Sequence, residues 1–420
     1  MAKGQEECSV LKLSLHGHLV GYLAGYTHGR NVLVFADEFR LNPERPTLSL
    51  VTHPDFPRAT KLLNEPWQRN QRLPPTLSNL LPEGALRELI SRELAVHRDN
   101  EFQIFSWLGR DLPGALIAEP VGPEQVPDYL LADKTAGRVS HVKPLQQGGK
   151  FSLAGVQMKL SMKEKEGRYN LVGGNELGDW IIKTPSTLHR EVPLNEFTAM
   201  NLAALAGVEI PEIRLVERAQ LGGLPPIHLP EENFVFAIKR FDRQSGDRVH
   251  MEDFAQVLMK YAHDKYNAAN YEQIGKIIYQ YSGDTLADIQ QFARRLLVNI
   301  LLANGDAHLK NWSLLYSDRV TARRSPAYDI VTTSVYVEGE RQFALNLAKM
   351  KEWYAVSYGH FEAWSQHVGV PWRVILPHLK DVVDRARALW PQALNNLPMH
   401  EEHKKTLRKH WQMVQAEFRI

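Results

Sequence analysis

NGDAHLKN, Asn304 to Asn311, stands directly behind the apolar run Phe292 to Ala303, whose spacing predicts a helix. Polar side chains crowd a Gly-broken loop that follows a buried helix, where they are held firmly and still reach solvent. In that pattern Asp306 is placed to accept a proton from an attacking hydroxyl, and Asn311 to offer an amide oxygen to a hard cation such as Mg²⁺. His308 and Lys310 flank the pair and could touch phosphate or orient the loop. The same residues also fit a plain helix C-terminus with Gly305 left-handed and its neighbours merely solvated. A second carboxylate decides between these readings. Asp329, in SPAYDIVTT, is alone no more than a turn former. Together with Asp306 and Asn311 it completes what metal-assisted phosphoryl transfer needs, a hard-oxygen hold on a cation that bridges phosphates.

Working outward, phosphate groups also require cations and backbone donors. GGKFSLAGVQMKLSM, residues 148–162, is a Gly-containing turn leading into a strand, but it matches neither GxxxxGK[ST] nor GxGxxG. Lys183 ends the apolar strand WIIK, where an inward charge needs a partner, and either a phosphate or Glu196 on the next helical segment supplies one. Lysine on a strand and glutamate on the following helix is the protein-kinase layout. Lys239-Arg240-Phe241-Asp242 then leads out of the strand FVFAIKR, and in a bilobal kinase such a linker presents backbone groups to the adenine ring.

The rest of the chain frames this centre. Its 420 residues suggest about two to three domains, and a net charge of +2 gives no general field for nucleic acid or lipid. One cysteine, Cys8, excludes an intrachain disulfide, and the charged residues ahead of it are no signal peptide, which points to the cytoplasm. No stretch resembles a membrane span, since Arg294, Arg295 and Asn299 break the most apolar one. Seventeen histidines show no zinc spacing. Alternation predicts a β-meander over 10–22 and 31–35, a helix from Glu83 to Ala95, and strands at 153–162, 169–172, 180–183 and 234–240. Helices are predicted at 191–206, 251–262, 286–303, 371–389 and 401–418. Domains are expected at 1–135, 136–245 and 246–420.

In order along the chain, SLAGVQMKLS, WIIK, NEFTAMNLA, IKRFDR, HMEDFAQ, NGDAHLKN and PAYDI resemble the HipA family of serine/threonine kinases, toxins of bacterial type II toxin–antitoxin modules. LSL (48–50), NLLPEG and GRDLPGAL extend the resemblance into the N-terminal part. It implies an α+β, two-lobed, protein-kinase-like fold: a β-rich N-terminal part with an extra subdomain, and a mainly helical C-terminal lobe. It also implies ATP and Mg²⁺, with Asp306 as catalytic base and Asn311 and Asp329 as metal ligands. Ala154, Gly155, Val156, Gln157, Met158 and Lys159 would form the phosphate loop, Lys183 would reach the phosphates, with Glu196 as its supporting ion-pair partner, and Lys239, Arg240 and Phe241 would be the adenine hinge. His308, Lys310 and Tyr328 are counted with the nucleotide-binding residues. Ser152 matches the serine whose autophosphorylation withdraws the phosphate loop and switches the family's kinases off. The implied partners are a HipB-like helix-turn-helix antitoxin, through which DNA is met indirectly, and an aminoacyl-tRNA synthetase as protein substrate, glutamyl-tRNA synthetase being the best-known case. GDxHxxN is also similar to aminoglycoside-kinase-type phosphotransferases, so a small-molecule acceptor stands as one alternative and an inactive co-repressor scaffold as another.

Overall fold

Apolar and polar residues alternate over residues 7–35, and the chain folds there into a meander of Glu7–Leu15, His18–Tyr26 and Arg30–Phe35. His16 and Gly17, at φ of 50° and 81°, form the two-residue turn whose twist suits a hairpin. Trp67–Asn70 joins one edge and Leu116–Val121 the other, all antiparallel, while Arg138–Val139 runs parallel to Glu7–Leu15. A Cβ on Gly21 would lie 2.2 Å from the Val34 carbonyl oxygen, so this close strand approach requires glycine. The sheet buries Leu11, Leu13, Leu15, Leu23 and Leu33 against Ile90 and Phe105 of the helices Gly84–Glu93 and Glu101–Leu108.

The structure, a computed structural model, describes residues 6–127, 130, 138–139, 157–171, 177–224 and 229–420. The chain forms two compact units: Met1–Leu153 with Asp242–Ala262 and Leu315–Thr321, and Ala154–Phe241 with His263–Leu314 and Ala322–Ile420. The second unit thus draws on both spans expected as kinase lobes, 136–245 and 246–420, and the first takes parts of each as well. Among the described residues no helix is long and apolar enough to cross a membrane.

The helix expected over 251–262 is replaced by a strand, His250–Asp253, and a single helical turn, Phe254–Val257, with a 3₁₀ turn, Ala262–Asp264, where the chain leaves the first unit. Two local features explain the correction. His250 and Glu252 alternate inward, and Asp253 and Gln256 close a capping box that starts the helix only at Phe254. Glu252 is fully enclosed and accepts hydrogen bonds from Ser49 Oγ (2.6 Å), the Leu50 N–H (2.6 Å) and the Tyr316 hydroxyl (2.5 Å). Burial nevertheless pushes its carboxyl up to about 7.

The second unit is built on a six-stranded sheet in the order Ile213–Glu217, Phe234–Lys239, Trp180–Lys183, Lys159–Lys165, Arg168–Leu171, Leu221–Gly222, with only the last pairing parallel. Leu160, Met162, Trp180, Ile182, Val235 and Ala237 make its core, and Val192–Leu205 packs as a helix beside Phe234–Lys239. The register pairs Lys159 directly with Lys183, so the two side chains leave the same face of the sheet.

The helical remainder comprises Tyr271–Tyr281, Thr285–Leu301, Tyr358–Val368, Leu376–Asn396 and Glu401–Met413. Leu376–Asn396 runs past the expected end at 389, because Trp390 and Leu394 are buried on its inner side while Pro391 faces solvent. Tyr271, Phe292, Trp312 and Trp364 pack ring on ring at centroid separations of 4.6 to 6.5 Å, geometry worth roughly 0.5–1.5 kcal/mol per pair beyond area burial. This cluster is the floor under residues 304–312.

Candidate active site

Thr285–Leu301 carries its apolar side into that floor and ends where Ala303 turns left-handed, at φ 50°. The positive φ falls on Ala303 and not on Gly305. A Cβ on Gly305 would meet the tip of the Glu340 side chain at 2.2 Å, which would have to shift, and the Gln342 carbonyl oxygen at 3.0 Å. The loop then closes on itself. Asn304 Nδ2 donates to Asn299 Oδ1 (2.9 Å), the Asp306 N–H to Asn304 Oδ1 (3.0 Å), and Asn311 Nδ2 to the Asp306 carbonyl (2.7 Å). The Ala307 carbonyl is pinned twice, by the Tyr271 hydroxyl (3.0 Å) and by Trp312 Nε1 (3.1 Å). Asp306 therefore sits on a rigid backbone with its side chain 49% exposed, and its Oδ1 accepts a hydrogen bond from the Tyr266 hydroxyl. His308 is buried, with Nε2 3.8 Å from the same oxygen.

Asp329 occupies a second strained position, φ 55°, a conformation that aspartate tolerates better than most residues. Lys183 donates to its Oδ1 and Lys159 to its Oδ2, the latter at 2.7 Å. Lys183 also donates to Glu196 Oε1. The register of the two lysines thus becomes a cluster of two ammoniums and two carboxylates. Burial works against charge on Asp329, but Lys159 and Lys183 outweigh it and hold the carboxyl well below its ordinary range. Burial likewise works against the Lys183 ammonium, and Asp329 and Glu196 reverse that and raise it. Glu196 is pushed up, by burial first and by Asp329 beside it, against the pull of Lys183.

Arg295 joins the loop of Asp306 to that of Asp329. Its guanidinium is buried, lies over the rings of Trp312 (4.2 Å) and Tyr328 (5.3 Å), and donates to the main-chain carbonyls of Asn311 and, at 2.9 Å, Tyr328. Burial lowers it to about 10, with Tyr328 opposing, so it remains charged at neutral pH. Asn304 Nδ2 reaches the Asp329 carbonyl at 3.5 Å. Asn311 and Tyr328, the residue ahead of Asp329, are thereby tied by one guanidinium.

The remaining expected residues divide. Tyr328 bonds the Lys310 carbonyl (2.9 Å) and Ser313 Oγ (2.5 Å), and its ring lies 5.5 Å from that of Phe241. Lys239 and Arg240 turn elsewhere: Lys239 Nζ meets Glu212 (3.3 Å) and Arg240 meets Ser161 Oγ (2.9 Å). Their N–H groups are spent on the Glu212 and Asp179 carbonyls, so of the expected hinge only Phe241 is brought to Tyr328. Met158 is buried and donates its N–H to Thr184 Oγ1 (3.1 Å), while Gln157 Nε2 is buried without a hydrogen-bond partner. Ser152, Ala154, Gly155 and Val156 lie outside the described residues. Tyr266, Arg295 and Asn304 were not picked out from sequence. The only signal for Arg295 was an arginine interrupting an apolar helix, and Tyr266 stands in a polar turn without any pattern.

Residues 151–390 match the family described as HipA-like C-terminal domain, and residues 11–119 the one described as HipA N-terminal domain. The Sinorhizobium fredii protein named "Putative kinase Y4dM" is 36% identical over 406 residues, 96% of each chain. The "Serine/threonine-protein kinase toxin HipA" of Shewanella oneidensis is 24% identical over 362 residues, 80% of each chain. A chain of the solved Shewanella oneidensis complex of HipA, HipB and operator DNA superposes with a TM-score of 0.72 at 21% identity, covering 97% of this chain and 96% of that one. The α+β, kinase-like architecture is thus shared, and with matching N- and C-terminal domains the chain belongs to the HipA family.

Proposed function

We propose that the chain is a Mg²⁺-ATP-dependent serine/threonine protein kinase acting as the toxin of a toxin–antitoxin pair. The observation that carries this reading is the convergence of Lys159 and Lys183 on Asp329, with Glu196 paired to Lys183, tied through Asn304 and Arg295 to the loop of Asp306. The residues suit the ligands. Among the described residues no three His, Cys, Asp or Glu side chains form a ready-made cation cage. Mg²⁺ asks for less, one or two protein oxygens completed by phosphates and water, which Asp329 and Asn311 can give. The unpartnered amide of Gln157 and the two lysines on Asp329 supply donors for phosphate oxygens. Bound Mg²⁺ would neutralise charge on the transferred phosphoryl group. Lys159 and Lys183 would hold the nucleotide's phosphates, Phe241 and Tyr328 would wall its base, and Asp306 would take the proton of the acceptor hydroxyl.

The acceptor in this reading is a hydroxyl of an aminoacyl-tRNA synthetase, whose modification stops translation, and Ser152 is a second acceptor in the chain itself that ends the activity. The complex from Shewanella oneidensis supports a HipB-like antitoxin as partner and DNA met through it. Expression of the chain in its host should arrest growth and add phosphate to a synthetase, and Asp306→Ala or Asp329→Ala should abolish both. Undiminished arrest by the double variant would overturn the kinase reading in favour of a scaffold.

A further inference from the structure

We propose that Tyr266 is a positioning residue for Asp306, a role that rests on reading Asp306 as the base of phosphoryl transfer. The Asp306 main chain is already committed, its N–H to Asn304 and its carbonyl to Asn311 Nδ2 and the His308 N–H, which fixes the backbone, whereas within the loop only His308 Nε2 approaches the carboxylate, at 3.8 Å from Oδ1, beyond hydrogen-bond distance. The Tyr266 hydroxyl is the group that takes one of its oxygens, Oδ1. The tyrosine is itself braced. The His308 ring stands edge-on to it at 5.0 Å and 81°, and Lys265 Nζ lies 5.6 Å from the ring centre. The Lys265 carbonyl accepts the Leu309 N–H at 3.2 Å, stitching the tyrosine's segment to the base loop.

A braced ring 40% exposed to solvent contributes little burial, so its placement is explained by the hydroxyl. Donation to one oxygen stops rotation of the carboxylate and presents the other to an incoming hydroxyl. A cleft of about 430 Å³, lined by Tyr266 and Gly305 together with Arg341 and Lys351, opens beside this point, so an acceptor has room to approach. A hydrogen bond to a charged group is among the stronger ones, and its loss should slow transfer roughly 10-fold or more.

The test uses the full chain, with phosphoryl transfer from γ-labelled ATP followed in single turnover both to the protein and to water. Tyr266→Phe should lower the rate constant roughly 10-fold while the KM for ATP and the melting temperature stay at wild-type values. On an Asp306→Asn background Tyr266→Phe should slow transfer no further, since it acts through the carboxylate. A wild-type or faster rate in Tyr266→Phe overturns the proposal and leaves the kinase reading standing, as does an equal further loss on the Asp306→Asn background. A wild-type chain that binds ATP and transfers nothing to either acceptor overturns both.

Discussion

Replacing Lys183 by methionine separates the structural from the chemical work of the buried cluster. Met is close in shape but removes the charge between Glu196, 1% exposed as a side chain, and Asp329, 19% exposed. Breaking a buried pair by deleting one partner typically costs about 3–5 kcal/mol, because the stranded charge must be desolvated or protonated. Two carboxylates are stranded here, but Lys159 remains on Asp329, which keeps the cost inside that range. For a unit of this size the loss should lower its melting temperature by roughly 6–20 °C. Adding Glu196→Gln removes the carboxylate that Lys159 does not touch. The double variant should therefore regain most of the lost stability and none of the ATP binding. Differential scanning calorimetry on the full chain, paired with equilibrium ATP binding, reads both effects. A Lys183→Met melting temperature within 1–2 °C of wild type, or a double variant no more stable than the single one, would refute the reasoning.

Three other substitutions probe separate parts of the molecule. Glu252→Gln tests the buried carboxyl of the first unit: its folded value of about 7 against an ordinary 4.5 means stability that is present below about pH 4.5 and lost as pH rises through 7. About 3 kcal/mol is at stake, so the variant should gain on wild type between pH 5 and pH 8.5 in thermal melts, and parallel curves would contradict it. Arg295→Lys should cost roughly 2–4 kcal/mol and cut activity, because an ammonium cannot span the Asn311 and Tyr328 carbonyls while stacking on two rings; wild-type melting and turnover would show that the bridge is idle. Lys159→Met removes one of the two cations on Asp329, so Mg²⁺ titrated calorimetrically without nucleotide should bind several-fold more tightly while ATP binds more weakly. Unchanged Mg²⁺ affinity would mean that Lys159 does not compete for the carboxylate.

Much of this architecture could be read from sequence wherever local pattern decides it. Trp180–Lys183 and Phe234–Lys239 carry the apolar alternation of strands, and Lys183 with Glu196 needed only a strand followed by a helix. What escaped depends on partners far away along the chain. Lys159 is expected from sequence only as the end of the phosphate loop, and its contact with Asp329, 170 positions on, comes from a register that sets it against Lys183. Arg295 looked like an interruption of an apolar helix until two carbonyls and two rings surround it. The helix expected over 251–262 failed because alternating His250 and Glu252 and the cap at Asp253 outweigh a helical apolar spacing. The left-handed residue is Ala303, two residues ahead of the glycine that composition alone favours.

The central claim, that Asp306 and Asp329 belong to a working phosphotransfer site, is tested most directly by intact-mass spectrometry of the purified chain before and after Mg²⁺-ATP, beside Asp306→Asn. The account predicts a gain of one phosphate, on Ser152, in the wild type alone. A chain that begins unmodified, gains no mass and shows no ATP-dependent rise in melting temperature would contradict it.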